Sequence, residues 1–374
     1  MNPESLIQQS KRIVIKIGSA ILTNEETGTV RHKWLKTLCD DIAMLSNQGK
    51  EIAIVSSGAI ALGRKALKIK NTIRPSSISL DKKQAAASIG QVIMSQTYAD
   101  CFATHQIQTG LVLLSPKDTE ERRAHLNARA TLSTLLENSI VPIINENDTV
   151  STEEIRFGDN DRLASRVAQM IDADLVIQLS TIDGLYTGDP TQDDNAEHIP
   201  LVEELSSNIT NMAGDAPAGL STGGMKSKLE AARIATKAGV HMMITSGKID
   251  HPLSKINRAT IFTASTKSIS ARKKWISSHV KPKGIIVIDT GAANALSQGK
   301  SLLAAGIVSI EGDFIHGDPV EILDQNDVKL AIGLSNYSTQ ESQKITGKNS
   351  ADIDQILGYT RGNEIIHRAN LVLT

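Results

Sequence analysis

The sequence predicts an α/β fold, an open and mostly parallel sheet sandwiched by helices, followed by a smaller, mostly-β domain. Three observations lead there. From Arg12 to about Phe262, short β-branched runs alternate with longer amphipathic ones, the pattern of parallel strands joined by helical crossovers. Most of the short runs end in small or polar residues. After Phe262 the alternation stops, and from Gly284 short strands separated by glycine turns take over. The expected organisation is a first domain over residues 1–262, a linker over 263–282 and a second domain over 283–374.

Taken in order, "RIVIKIG" (12–18) reads as the first strand, followed by a helix near 31–48. "EIAIVSSG" (51–58) is the second strand, and helices near 58–68 and 81–105 follow it. "TGLVLL" (109–114), a helix near 119–138 and "IVPIINEND" (140–148) continue the alternation. A helix near 160–171 leads into "DLVIQLS" (174–180). Two loop-like stretches come next, 188–198 and 206–224, the second long enough to close over a ligand. In the helix expected near 224–238, Met225, Leu229, Ala232 and Ala235 recur at helical spacing, so one side packs inward. "VHMMITSG" (240–247) is the last strand of this series. "STKSISARKKWISSHVKPKG" is polar, basic and without a strong period, as a linker would be. The strands expected beyond it lie in "GIIVIDTGA", "LLAAGIVSIEGDF", "HGDPVEIL" and "KLAIGLSNYS".

Composition narrows the function. A chain of 374 residues with 40% hydrophobic and 22% charged residues is long enough for two packed domains. Forty Lys plus Arg nearly balance 41 Asp plus Glu, so no global field draws it to nucleic acid or anionic lipid, and any anion site is local. Cys39 and Cys101 form no CxxC pair and have no histidine cluster nearby, which argues against a thiolate metal site or a disulfide framework. The polar start "MNPESLIQQSKR" lacks the apolar core of a signal peptide, and no apolar run reaches membrane-spanning length. A cytoplasmic protein is expected.

In an open α/β sheet, ligands bind beyond the carboxyl ends of the strands, where Lys16, Gly18, Ser56, Ser57, Gly58, Asn145, Asn147, Asp148, Ser180 and Thr181 would converge. Lys16 lies in an otherwise apolar run, so it either reaches out to solvent or faces an anion. "SSGAI" can offer backbone N–H groups to a carboxylate or phosphate, or be a simple tight turn. "GAIALGRK" is no P-loop, because Arg64 stands where that motif needs lysine. "INENDTV" and "FGDNDRLA" bring Asp148, Asp159, Asn160 and Asp161 close together, and helix capping accounts for one of them. "LSTGGMKSK" sets Gly223 and Gly224 before a helix start carrying Lys226 and Lys228, either a phosphate site or an ordinary surface helix.

Together "VIKIGS", "VSSGAIALG", "LNARATL", "VPIINENDTV", "FGDNDRLA", "DGLYTGDP" and "STGGMKSK", in this order, resemble the amino acid kinase family, and within it the branch acting on free glutamate. The tail is similar to the PUA domain. The resemblance implies transfer of the γ-phosphoryl of ATP, with Mg²⁺ carried on the nucleotide phosphates, to the side-chain carboxylate of glutamate, the step that begins proline synthesis. Lys16 and Lys228 then resemble the two catalytic lysines, and Asp161 the aspartate that holds them. Ser57, Asp148 and Asn160 match glutamate-binding positions, with Asp148 placed for the ammonium. Ser180, Thr181, Thr222, Gly223, Gly224, Met225, Lys226, Ser227 and Lys228, with Lys16, match the nucleotide-binding segments. Thr181 and Ala130 depart from many relatives, which carry aspartate there.

The family also implies a homodimer or homotetramer and inhibition by proline. Acetylglutamate kinase, aspartokinase, carbamate kinase and UMP kinase share the fold, and a PUA-like tail leaves an RNA-binding protein as the competing class. Against that class, residues 281–374 hold eight Lys plus Arg and eleven Asp plus Glu, a net charge of −3.

Overall fold

Strands that place apolar residues on both faces have to be covered on both, and the main strands of the first domain are. In a computed structural model of the chain, residues 2–24, 26–70, 73, 77–150, 160–212, 224–264 and 282–373 are described. They divide into two units, within Met1–Thr266 and Lys267–Thr374. The first contains strands β1 (Arg12–Ile17), β2 (Glu51–Ser56), β3 (Thr109–Leu114), β4 (Val141–Glu146) and β5 (Leu175–Ser180). It continues with β6 (Leu185–Tyr186), β7 (His198–Ile199), β8 (Leu201–Val202), β9 (His241–Ser246) and β10 (Ala259–Phe262).

Among the described residues, eight of these strands form one sheet in the order β3-β4-β2-β1-β5-β9-β10-β8. Every pair from β3 to β9 is parallel, β10 runs antiparallel to β9, and β6 and β7 make a separate hairpin. The interior strands β4 and β5 are buried at all six positions. Alternation divides each strand between two helical layers. Ile13, Ile15 and Ile17 of β1 pack with Trp34, Leu35 and Leu38 of the helix His32–Asn47 and with Met94, Tyr98 and Phe102 of the helix Leu80–Ala103. Val14 and Val176 pack on the opposite face with Leu132, Leu163, Val167, Leu229 and Ala232. Those residues belong to the helices Arg122–Glu137, Asn160–Met170 and Met225–Lys237. By the same alternation Lys16 lies on the face of Val14, under the helices that carry Asp161 and Lys228.

The six strands read from the sequence are all present. The helix expected over 58–68 is shorter, Ala59–Gly63, and "GAIALG" has a packing purpose. A Cβ at Gly63 would sit 1.8 Å from the Ala86 carbonyl oxygen, and one at Gly90 would sit 1.7 Å from that of Ala59. The two helices therefore cross with their backbones in contact. Gly58, with φ of 120°, makes the turn that precedes them. The helix expected over 119–138 is two pieces, Pro116–Glu120 and Arg122–Glu137. Within the two loop-like stretches, His198 belongs to β7 and Ser207–Met212 is helical. Residues 213–223, where a closing loop was expected, lie outside the described residues. No described helix is long and apolar enough to cross a membrane.

The second unit holds β11 (Gly284–Ile288), β12 (Ile307–Gly312), β13 (Pro319–Leu323), β14 (Lys329–Leu334) and β15 (Leu371–Leu373), ordered β12-β11-β13-β14-β15 among the described residues. Only the β11–β13 pair is parallel. Ile286, Ile288, Val320, Ile322, Phe314 and Tyr337 are at its core. "GIIVIDTGA" is strand only to Ile288, because Asp289 accepts a hydrogen bond from the Ala292 amide and starts the helix Thr290–Ser297. A Ser338–Glu341 capping box likewise opens the helix Thr339–Ile345. Of the linker expected over 263–282, residues 265–281 lie outside the described residues.

Candidate active site

The parallel strands end on one side of the sheet, and the polar residues that follow β1, β2, β4 and β5 surround the crevice there. Lys16, one residue from the end of β1, is 6% exposed. Above it, Asp161 occupies the first turn of the helix Asn160–Met170 and is 0% exposed, and Lys228 near the start of the helix Met225–Lys237 is 6% exposed. The Lys16 ammonium pairs with Asp161 Oδ1. Lys228 Nζ donates to Asp161 Oδ2 at 2.8 Å, and Ser227 Oγ donates to the same oxygen at 3.2 Å.

Burial pushes the Asp161 carboxyl up, but the charges and hydrogen bonds of Lys16 and Lys228 outweigh it and bring the group down to about 2. The carboxylate also sits at a helix N-terminus, where negative charge is favoured. Two ammonium groups share one carboxylate here. Among the described residues this buried cluster carries an excess positive charge, which suits it to an anion arriving from the crevice.

Next to Asp161, Asn160 Nδ2 donates to Ser57 Oγ at 2.7 Å, to Asn145 Oδ1 at 2.8 Å and to the Ser56 carbonyl at 3.3 Å. Asn145 in turn donates to Gln91 Oε1 at 2.9 Å. Asn160 Oδ1 is buried and accepts no hydrogen bond among the described residues, so it can receive a ligand donor. Asp148 is half-buried in the turn after β4, where its amide bonds the Glu146 carbonyl at 2.9 Å.

The structure thus brings together Lys16, Asp161, Ser227 and Lys228, and separately Ser57 and Asn160, with the adjacent residues 160 and 161 joining the two groups. Ser180 is buried at the end of β5, in register with Ser246 of β9, and Thr181 is exposed beside it. Gly224 caps the helix Met225–Lys237, Met225 is half-buried and Lys226 is exposed. Thr222, Gly223 and Asp159 lie outside the described residues. Sequence reasoning missed Gln91 and Gln178. Gln178 is the register partner of Lys16 on β5, fully buried, and neither amide atom has a partner among the described residues. A single amide in an apolar run signals no role by itself, but Gln178 breaks "LVIQLS" as Lys16 breaks "VIKI".

Comparison with known proteins agrees with this geometry. Residues 11–246 match the Amino acid kinase family, and residues 284–357 match the PUA domain. The chain belongs to the amino acid kinase family. A glutamate 5-kinase of Bartonella henselae is 52% identical over 366 residues, covering 97% of this chain and 95% of that one. Glutamate 5-kinases of Bradyrhizobium sp. and Bradyrhizobium diazoefficiens are each 46% identical over 370 residues, covering 98% of this chain and 97% and 98% of theirs.

Proposed function

We propose that the chain transfers the γ-phosphoryl group of ATP to the side-chain carboxylate of L-glutamate, forming glutamyl 5-phosphate, the first step of proline biosynthesis. The observation that carries this reading is the buried Lys16–Asp161–Lys228 cluster, two cations on one anion at the ligand end of an amino acid kinase sheet. A carboxylate nucleophile is already ionised at neutral pH, so no general base is required. The difficulty is bringing it to an already negative phosphate and answering the charge spread over the transferring oxygens. Lys16 and Lys228 meet that charge from two sides, and Asp161 positions both. The N-terminus of the helix Met225–Lys237, where the helix dipole favours negative charge, adds to the phosphate site. Mg²⁺, carried on the nucleotide phosphates, supplies further charge neutralisation.

In this reading Ser57 holds the carboxylate end of glutamate, and Asp148 and the open Oδ1 of Asn160 take its ammonium. Ser180, Thr181, Thr222, Gly223, Gly224, Met225, Lys226 and Ser227 surround the nucleotide. Replacing Asp148 by asparagine keeps the size and removes the charge, stranding the ammonium in a poorly solvated pocket. Glutamate KM rises at least about tenfold, near 1.4 kcal/mol, while ATP KM changes less. Steady-state ADP release measures both, and an unchanged glutamate KM removes Asp148 from the pocket. The same assay separates the chemistry of this chain from its fold: glutamate supports turnover, and carbamate and UMP do not.

Three further features belong to the reading. The site residues all precede residue 263, so a chain truncated near Ser278 keeps ATP- and glutamate-dependent activity. A folded truncation without turnover would show that the tail completes the site. Proline at millimolar concentration slows the reaction at subsaturating glutamate, and an unchanged rate would exclude it as an inhibitor. Exposed Val92 and Ile93 on the helix Leu80–Ala103, with exposed Leu111 on the edge strand β3, support a homo-oligomer. The enzyme works in the cytoplasm, where ATP is available. The acidic balance of the tail weighs against RNA binding.

A further inference from the structure

The two cysteines of the chain, Cys39 and Cys101, lie far apart in sequence and meet where two helices pack. Cys39 is fully buried in the helix His32–Asn47, and Cys101, half-buried near the end of the helix Leu80–Ala103, packs against the core cluster that contains Cys39. Each thiol perturbs the titration of the other, as neighbours across this crossing do. One residue after Cys39, Asp40 Oδ1 lies 2.9 Å from Nε2 of His105, four residues after Cys101, so a polar contact fixes the same crossing. We propose that Cys39 and Cys101 form a reversible redox site, a dithiol that a disulfide oxidant such as oxidised glutathione converts into an internal disulfide between the two helices.

The chemistry divides between the two thiols. The interaction with Cys39 brings the Cys101 thiol down, whereas that interaction and burial push the Cys39 thiol up. Cys101, the more accessible, attacks a sulfur of oxidised glutathione as its thiolate, forming a mixed disulfide and releasing one glutathione. Cys39 then attacks the Cys101 sulfur, its proton passes to the departing thiolate, and a second glutathione leaves. Two thiols are oxidised and one external disulfide is reduced, so atoms and electrons balance.

Helix Leu80–Ala103 is also tied to the proposed amino acid pocket. Tyr98, one turn before Cys101, shares a 3.0 Å hydrogen bond with Ser56 beside Ser57, and Gln91 accepts from Asn145. Joining the sulfurs at covalent distance shifts this helix and disturbs the glutamate end of the site. That consequence rests on the kinase reading; the thiol chemistry does not.

The test treats the full chain with oxidised glutathione and then dithiothreitol. The expected result is loss of both titratable thiols, a mass lower by two hydrogens without a glutathione adduct, and a linked peptide containing Cys39 and Cys101. Glutamate KM rises by roughly fivefold or more, the low end of coupling between sites, and returns on reduction. Cys101→Ser, at a half-exposed position that tolerates it, keeps the reduced enzyme's KM under oxidant, and Cys39→Ala serves as the second control. Thiols that stay free, a persistent glutathione adduct on wild type, or a linkage between chains overturns the site. An internal disulfide that leaves glutamate KM unchanged in an active kinase overturns its control of the pocket. Absence of kinase activity in the reduced chain would instead count against the functional reading, leaving the mass and thiol results to judge the disulfide.

Discussion

Lys228→Ala and Lys16→Ala each lower kcat by roughly 10²-fold or more, the scale lost when one preorganised donor to developing charge is removed. The effect belongs to kcat because the lysines face charge that grows as the phosphoryl group transfers, while ground-state contacts to ATP and glutamate are spread over other residues. Either single variant leaves Asp161 paired with the remaining lysine, so the fold survives and the comparison is made on native protein. Arginine at either position does not restore the rate, since its planar fork cannot replace a compact ammonium beside a buried carboxylate. Near-normal kcat in a purified, folded variant removes that lysine from the mechanism.

Asp161→Asn abolishes activity and also destabilises the fold. The substitution strands two ammonium groups that are 6% exposed, and breaking a buried ionic cluster at one partner costs about 3–5 kcal/mol. Exchanging all three members for apolar residues of similar size, Lys16→Met, Asp161→Leu and Lys228→Met, recovers most of that stability and none of the activity. Urea unfolding of wild type, single and triple variants reads the difference; a single variant as stable as wild type contradicts the buried cluster. The carboxyl's fall from 3.8 to about 2 also fixes a pH window. A folded-state value below the unfolded one means the stabilisation is fully present above about pH 4 and is lost as pH falls towards 2.

Most of the fold was legible because its main strands are six-residue runs rich in Val and Ile, most of them followed by small or polar residues. The strands missed in the first unit, β6, β7, β8 and β10, have two to four residues each and form only against the strands they pair with. In the second unit, Asp289 and the Ser338–Glu341 pair carried capping signals, but each stood next to a strand-like run that masked it. Lys16 was readable as a cation that its own strand could not accommodate. Its pairing with Asp161 and Lys228 was not readable from spacing, since those residues sit on three separate elements that only the sheet order brings together. The family resemblance linked them in advance. The Cys39–Cys101 contact depends on how two helices cross, which neither periodicity nor spacing specifies. Gly63 and Gly90 make the neighbouring crossing tight, and in the sequence they are only glycines in helical runs.

The central claim is that the buried cation pair directs phosphoryl transfer onto the side-chain carboxylate of an amino acid whose ammonium is free. Trapping with hydroxylamine measures this most directly, because an acyl phosphate yields a hydroxamate and a phosphate ester does not. With ATP and Mg²⁺, the wild-type chain is expected to form hydroxamate from glutamate, far less from N-acetylglutamate or aspartate, and almost none when Lys228 is alanine. Hydroxamate from N-acetylglutamate in excess of that from glutamate, or ADP release from glutamate with no hydroxamate trapped, would contradict it.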